Sequence, residues 1–295
     1  MDINGLITER KELFDSWLKA AIPEVDPKVE ILGSAMEHSL LAGGKRLRPI
    51  LLLETMKMLG ADLHQGRNVA LAIEMIHTFT LIHDDLPCMD DDDFRRGIPT
   101  CHKVFGEDIA VLAGDALVFA AFSLICRDDD GIPAATKIAV MQDIAEAVGP
   151  KGVIGGQVLD ILSEEKQPSE DVLSYIHTHK TADLIRVAVL CGARLAGANI
   201  RTMEYLERYA IHLGLSFQIT DDILDVEGVE EILGKPVGSD LALGKMTYPA
   251  LLGLEAAKER AKHEMDMARA ELENLDGCDT SFFIGLCDFI LHRLY

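Results

Sequence analysis

The stretch Val69-Ala-Leu-Ala-Ile-Glu-Met-Ile-His77-Thr-Phe79-Thr80-Leu-Ile-His83-Asp84-Asp85-Leu-Pro-Cys-Met-Asp90-Asp91-Asp92-Asp93 carries two signals at once. From Val69 to Leu86 the apolar residues recur at helical spacing, with Ala70, Ile73, Ile76 and His77 on one stripe, and the pattern stops at Pro87. Asp84 to Asp93 then pack six aspartates into ten residues. Such crowding is self-repulsive, because without cations neighbouring carboxylates raise one another's pKa and oppose folding. Asp84 and Asp85 also end an apolar helix instead of lying in a polar linker, and His77 and Asp84 fall on nearly one line of that helix. The pattern predicts a metal-binding helix end in preference to a solvated acidic face.

Working outward, the helical period extends through nearly all of the chain while alternating, strand-like runs are scarce, so the fold is expected to be all-α. Gly43-Gly44 close a helix built on Val29 to Leu41, and Pro49 opens the next, which runs through Leu59 to Gly60. Further helices are expected over Glu107 to Cys126, Ala134 to Val148, Val153 to Leu162, Glu170 to His177, Thr181 to Leu195, Met203 to Val226, Thr247 to Leu275 and Ser281 to Arg293. His177-Thr-His179 reads as a helix-end pair before Lys180, and Asp128-Asp129-Asp130-Gly131 as a solvated loop. With no internal repeat and no linker-like run, residues 1–295 are expected to form one helical domain. Ala110, Ala113, Gly114, Ala116, Ala120 and Ala121 permit close helix approach. Glu107, Asp108 and Asp115 interrupt that segment as a membrane span, and no uncharged apolar run approaches the ~18 residues a span needs.

Composition narrows the function classes. At 48% hydrophobic and 26% charged residues the chain has ordinary globular usage, so disorder is excluded. Its 28 Lys and Arg against 49 Asp and Glu leave a net charge of −21, which would repel nucleic acid and anionic lipid over most approach directions. The six cysteines are dispersed without a C-x-x-C pair, and the N-terminus lacks the basic and apolar regions of a secretory signal, so free thiols in the cytoplasm are expected.

A second acidic cluster, Gln218-Ile-Thr-Asp221-Asp222-Ile-Leu-Asp225, is again embedded in an apolar helix, with Asp221 and Asp225 at i, i+4 and Gln218 one turn earlier. Carboxylates on two apolar helices suit Mg²⁺ shared with substrate phosphates, since Mg²⁺ keeps an octahedral oxygen shell and seldom has a full protein cage. Zinc fits less well, because neither cluster adds a second nitrogen or thiolate at ligand spacing. Cations for phosphate lie close in sequence: Arg95-Arg96 after the first cluster, Lys180-Thr181, Lys235 and Lys245, and the glycine-loosened Gly43-Gly44-Lys45-Arg46-Leu47-Arg48. Other templates fail. An EF-hand starting at Asp90 would have Phe94 and Arg95 where a ligand and a glycine are required, and Arg46 replaces the Ser or Thr of a Walker A loop. Gly149 to Gly156 is glycine-rich but follows no strand, against a dinucleotide fold. His83 could act as a ligand or pack behind one.

From about Leu40 to the C-terminus these motifs resemble the trans-isoprenyl diphosphate synthases, in particular bacterial-type farnesyl and plant-type geranylgeranyl diphosphate synthases of the polyprenyl synthetase group. The residues that carry the resemblance are Gly43 to Pro49, Asp84-Asp85-x4-Asp90 with Arg95-Arg96-Gly97, Gly155-Gly156-Gln157, Lys180-Thr181, Phe217-Gln218, Asp221-Asp222-x2-Asp225 and Lys245. The resemblance implies a bundle of long helices around a central cavity, the isoprenoid synthase fold, and a homodimer. It implies condensation of isopentenyl diphosphate with an allylic diphosphate by ionisation, condensation and elimination. It implies that Asp84 and Asp90 hold two Mg²⁺ with Asp85 supporting, and that Asp221 holds a third with Asp222 and Asp225 assisting. Arg95, Lys180 and Lys245 would grip the allylic diphosphate, while Lys45, Arg48, His77 and Arg96 would bind isopentenyl diphosphate. Thr181 and Gln218 would line the reacting end, and Lys235 would add a substrate-binding cation. It gives Asp91, Asp92 and Asp93 no role. A terpene cyclase would not need the Lys45, Arg48 and Arg96 set, and a non-catalytic regulatory subunit would not need both aspartate motifs intact.

The same resemblance bears on product length, since bulky residues just before the first aspartate motif block the growing chain in that family. Phe79, five residues before Asp84, and the insertion Pro87-Cys88 resemble the farnesyl, C15, pattern, with C20 as the alternative. Helix geometry by itself leaves this open, because Thr80 lies about 40° and Phe79 about 140° from Asp84 around the axis.

Overall fold

The structure, a computed structural model, describes residues 2–163, 169–227 and 245–292. The first helix, α1 (Ile3–Lys19), begins at Asp2, whose carboxylate accepts from the Gly5 N–H at 3.0 Å. The apolar periodicity of the sequence becomes clear only from Val29. The charged run Glu9 to Glu12 hides the stripe that buries Phe14 and Leu18, and Arg10 within it is neutralised by the buried Glu54. Then follow α2 (Glu30–Leu40), α3 (Leu47–Met58) and α4 (Arg67–Asp84). Helix α3 buries eight consecutive residues, Pro49 to Met56, as a helix enclosed on all sides does.

After α4 the chain makes a two-stranded hairpin, β1 (Phe94–Arg95) and β2 (Ile98–Pro99), whose two turn residues Arg96 and Gly97 both have positive φ, 55° and 80°. That is the turn whose twist matches two antiparallel strands. The remaining helices are α5 (Cys101–Phe105), α6 (Glu107–Ile125), α7 (Ala134–Val148), α8 (Val153–Ser163), α9 (Glu170–Ile176), α10 (Asp183–Leu195) and α11 (Ile200–Glu227). They are completed by α12 (Tyr248–Leu252), α13 (Leu254–Leu272) and α14 (Ser281–Leu291). Helix α6 stacks along α4, α10 lies against α3 and α11, and α13 runs along α11. The all-α bundle therefore has two principal cores, one centred on α4 and α6 and one where α3, α10, α11, α13 and α14 meet.

Three local readings need correction. Between α9 and α10 there is no helix end: His177–Ala182 form a π-helical segment, and the chain stays helical from Glu170 to Leu195. The segment from Thr247 to Leu275 is two helices broken at Gly253, whose φ of 82° an L side chain rarely adopts. Asp130 does not lie in solvent; its carboxylate is 5% exposed and pairs with Lys137 at 2.7 Å, while Asp129 accepts from Asn68 at 2.6 Å. Among the described helices α6 is the one long and apolar enough to cross a membrane by length and composition, with a mean hydropathy of 2.0. Within the bundle it buries Ala110, Ala113, Gly114, Leu117 and Ala121, largely against α4.

Candidate active site

The first aspartates are placed by the end of α4. Asp84 is its last residue, Asp85 caps it, and the chain turns back so that the Asp90 N–H donates to the Asp84 carbonyl at 2.9 Å. Asp91 takes a positive φ of 51° to make that turn, Asp92 reaches Arg95 at 3.2 Å and Asp93 pairs with Lys103 at 2.5 Å. Asp91 and Asp93 thus serve the turn and hairpin, whereas Asp92 also lines the central cavity, in both its acidic and its cationic chamber, beside Arg95. Across the cavity the π segment carries Lys180 and Thr181, and α11 carries Gln218, Asp221, Asp222 and Asp225. Gly156 on α8 lets the two elements touch, since a Cβ there would lie 2.5 Å from the Lys180 backbone nitrogen. Single-turn π segments concentrate at functional sites, and this one turns Lys180 and Thr181 inward.

Three chambers meet in the middle. One of about 260 Å³ is lined by Asp84, Asp90, Arg95, Lys180, Asp222 and Lys245, among others. A second of about 430 Å³ is lined by Lys45, Arg48, His77, Arg96, Phe217 and Asp221. The third, about 350 Å³, is largely apolar, with Phe79, Thr80, His83 and Met89 on one side and Ile154 and Val158 of α8 on the other. Thr181 and Leu81 line all three, and Gln218 lines the first two. Phe79 and Thr80 therefore face one apolar chamber together, which the helical angles left open. Lys235 lies outside the described residues.

The second cluster is split more finely than its spacing predicted. Asp221 lines the chamber of Lys45 and Arg48, whereas Asp222 lines that of Asp84. Gln218 pairs with Asp222, its Nε2 donating to Oδ1 at 2.9 Å, while Thr181 donates to Gln218 Oε1 at 2.7 Å and the Tyr248 N–H donates to Asp222 Oδ2 at 3.1 Å. Asp225, one turn beyond Asp221, is 2% exposed and lines none of the three chambers. Asp85 likewise lines none of them; it is buried and accepts from Arg95 Nε at 2.5 Å. One participant carries no motif signal, and one expected cation turns elsewhere. Asp160 lines the first chamber and pairs with Lys180 at 2.5 Å, and its signal was a lone carboxylate inside the apolar run Val153 to Leu162. Arg46, one of the cations between Gly44 and Arg48, points away into the protein to Asp15, Glu74 and the Leu40 carbonyl.

Electrostatics separate the carboxylates. Burial, reinforced by Asp90 and Asp85, pushes Asp84 up to about 6, and burial does the same to Asp85 despite Arg95. At Asp90 burial is outweighed by Lys180 and Lys245, the latter at 3.0 Å, and the carboxyl is held below its usual range. Lys180 is partly buried, yet Asp160, Asp84 and Asp90 keep it firmly charged. Burial lowers Arg48 to about 10 and drives His77 well below the usual range. His77 is accordingly neutral, and its Nε2, 3.3 Å from Arg48, accepts from the guanidinium.

A family profile described as polyprenyl synthetase matches residues 29–278. The chain belongs to that family. It is 46% identical to the farnesyl diphosphate synthase of Geobacillus stearothermophilus, covering 99% of this chain and 98% of the relative. It is 44% identical to the chloroplastic geranylgeranyl pyrophosphate synthase of Capsicum annuum over 97% of this chain and 78% of the relative. Among solved structures, an FPP/GFPP synthase from Zymomonas mobilis superposes with a TM-score of 0.86 at 31% identity, covering 98% of this chain and 99% of that one. The family is normally Mg²⁺-dependent, and the donor set fits that ion: hard carboxylate oxygens whose raised pKa marks charge that a cation would relieve. Among the described residues no three His, Cys, Asp or Glu side chains converge into a self-sufficient metal cage. An ion shared with substrate phosphates does not need one.

Proposed function

We propose that this chain, a short-chain trans-prenyltransferase, joins isopentenyl diphosphate to dimethylallyl or geranyl diphosphate and makes chiefly farnesyl diphosphate. The observation that carries the reading is the meeting of an acidic-and-cationic chamber, a cationic chamber and an apolar chamber at Thr181 and Leu81. Asp84 and Asp90, with Asp85 behind them, would hold two Mg²⁺, and Asp221, with Asp222 and Asp225 assisting, a third. When bound, the metal supplies positive charge to the diphosphate oxygens. Arg95, Lys180 and Lys245 grip the allylic diphosphate, and fixed cations there are worth most as negative charge grows on the departing group. Lys45, Arg48, His77 and Arg96 bind isopentenyl diphosphate, and Lys45 stacked 5.6 Å over the Phe217 ring is pre-oriented for it. Thr181 and Gln218, locked together, orient the two substrates where the new C–C bond forms. The double bond attacks the allylic cation, and the proton leaves to the released diphosphate, so no side-chain base is required.

The apolar chamber takes the growing chain, and Phe79 closes it at C15; the pepper relative supports C20 as the second reading. The proposal includes a homodimer, for which the outward face of α6 with Val111, Leu112 and Phe119 exposed gives a surface, and a cytoplasmic location. Incubation with Mg²⁺, isopentenyl diphosphate and each of the C5, C10 and C15 allylic diphosphates tests the reaction by chromatography. Consumption of the C5 and C10 starters with a C15 product is expected; no consumption of isopentenyl diphosphate with any starter would sink the reading.

A further inference from the structure

Neither the aspartate motifs nor the substrate cations account for His83, yet it lines the apolar chamber and is held there by contacts on two sides. It stands one turn after Phe79 on α4, and the two rings meet edge to face at 5.1 Å and 87°. Its Nε2 lies 3.1 Å from the carbonyl of Val111 on α6, so Nε2 carries the proton and donates. That carbonyl keeps its second lone pair for the helix, so the bond disrupts nothing in α6. Three residues on, Gly114 forms the seat for the ring: a Cβ there would lie 2.6 Å from His83 Cδ2, inside contact distance. The imidazole is thus fixed by a hydrogen bond, by a fitted gap in the next helix and by the ring it supports.

We propose that His83 is a positioning residue for product length, holding the Phe79 ring across the apolar chamber by transmitting the rigidity of α6 through Val111 and Gly114. The inference rests on the reading of Phe79 as the closure of that chamber. A ring anchored on one edge loses the rotamers that would swing it aside, so a growing chain meets a wall instead of a side chain that yields. Thr80 on the same face is too short to close the space alone, and its hydroxyl is turned to the His77 carbonyl at 2.8 Å.

The test compares Phe79→Ala, His83→Ala and the double variant, scoring the C20-to-C15 product ratio and the KM for isopentenyl diphosphate. His83→Ala is expected to raise the ratio about tenfold, the scale on which an apolar pocket discriminates by size. The KM should stay put, because His83 is held by Val111 and Phe79 and not by any residue assigned to isopentenyl diphosphate, of which Lys45 and Arg96 line another chamber. The double variant should match Phe79→Ala, since His83 acts only through that ring. If Phe79→Ala shifts the products and His83→Ala does not, the positioning role is wrong and the closure reading survives. If Phe79→Ala shifts nothing, the closure reading itself falls and the inference with it. A double variant that exceeds Phe79→Ala means His83 acts on its own, which also overturns the inference. Should His83→Ala fail to fold, His83→Gln keeps a donor near Val111 but removes the aromatic edge, and the same ratio decides.

Discussion

His77 shows what one half-buried side chain contributes beyond its motif. The sequence put it on the line of Asp84, and the structure seats it against Arg48 in the cationic chamber, where burial and that guanidinium keep it neutral. In the unfolded chain a histidine titrates near pH 6.5. Below that pH the unfolded state binds a proton that the folded state refuses, so His77 contributes stability that is intact above about 6.5 and is lost as pH falls. The loss runs at up to about 1.4 kcal/mol per pH unit. Urea unfolding at about pH 7 and about pH 5 should therefore show the natural protein losing more stability than His77→Gln, by up to about 2 kcal/mol. Equal losses would mean that His77 is charged in the fold. The same scale explains why Asp221, Asp222 and Asp225 part company. Three carboxylates within five residues on a helix point to different neighbours, and only the packing of α11 against the π segment and α12 decides which neighbour each receives.

At the level of elements, the π segment His177–Ala182 is the least legible feature and among the most consequential. Nothing in the composition of His-Thr-His-Lys-Thr-Ala distinguishes a wide helical turn from a helix end, because the difference is a hydrogen-bond register chosen by neighbours. One neighbour is Gly156, whose missing side chain lets α8 press on the Lys180 backbone. Gly156→Ala would set a Cβ 2.5 Å from that backbone nitrogen and 3.1 Å from His179 Cβ, with no flexible side-chain end to give way at the first contact. The expected cost is about 1–3 kcal/mol of stability, as for overpacking in a dense core. Turnover should fall further than the loss of folded protein explains, because Lys180 and Thr181 move with the turn. Thermal melting and kcat measured together check this; an unchanged kcat would show that the chamber does not depend on this approach. Helix α1 is the converse case, a helix whose apolar stripe is plain once Arg10 is seen to pair with Glu54 but is masked in sequence by the charges around it.

For the whole molecule, the net charge of −21 is divided between a solvated coat and a cavity in which Lys45, Arg48, Arg95, Arg96, Lys180 and Lys245 gather. Its outer surface also carries an apolar strip along α6, where Phe119 is 76% exposed beside Val111 and Leu112. If the proposed homodimer buries that strip, Phe119→Asp should shift the chain to monomer in sedimentation while leaving the helical circular dichroism unchanged; an unaltered mass would move the interface elsewhere. The sequence by itself determined the helical class and the two aspartate clusters, because periodicity of 3.6 and dense carboxylates in apolar helices are local properties that survive without a fold, while the family was legible in its motifs through resemblance. Tertiary structure alone decided that Arg46 pairs with Glu74 and Asp130 with Lys137, that Asp160 stands at Lys180, that Asp222 holds Gln218, and that His83 stands behind Phe79. Each of those is a contact between residues distant in sequence or a choice among rotamers, and its free energy depends on which atoms the packing brings within a few ångströms.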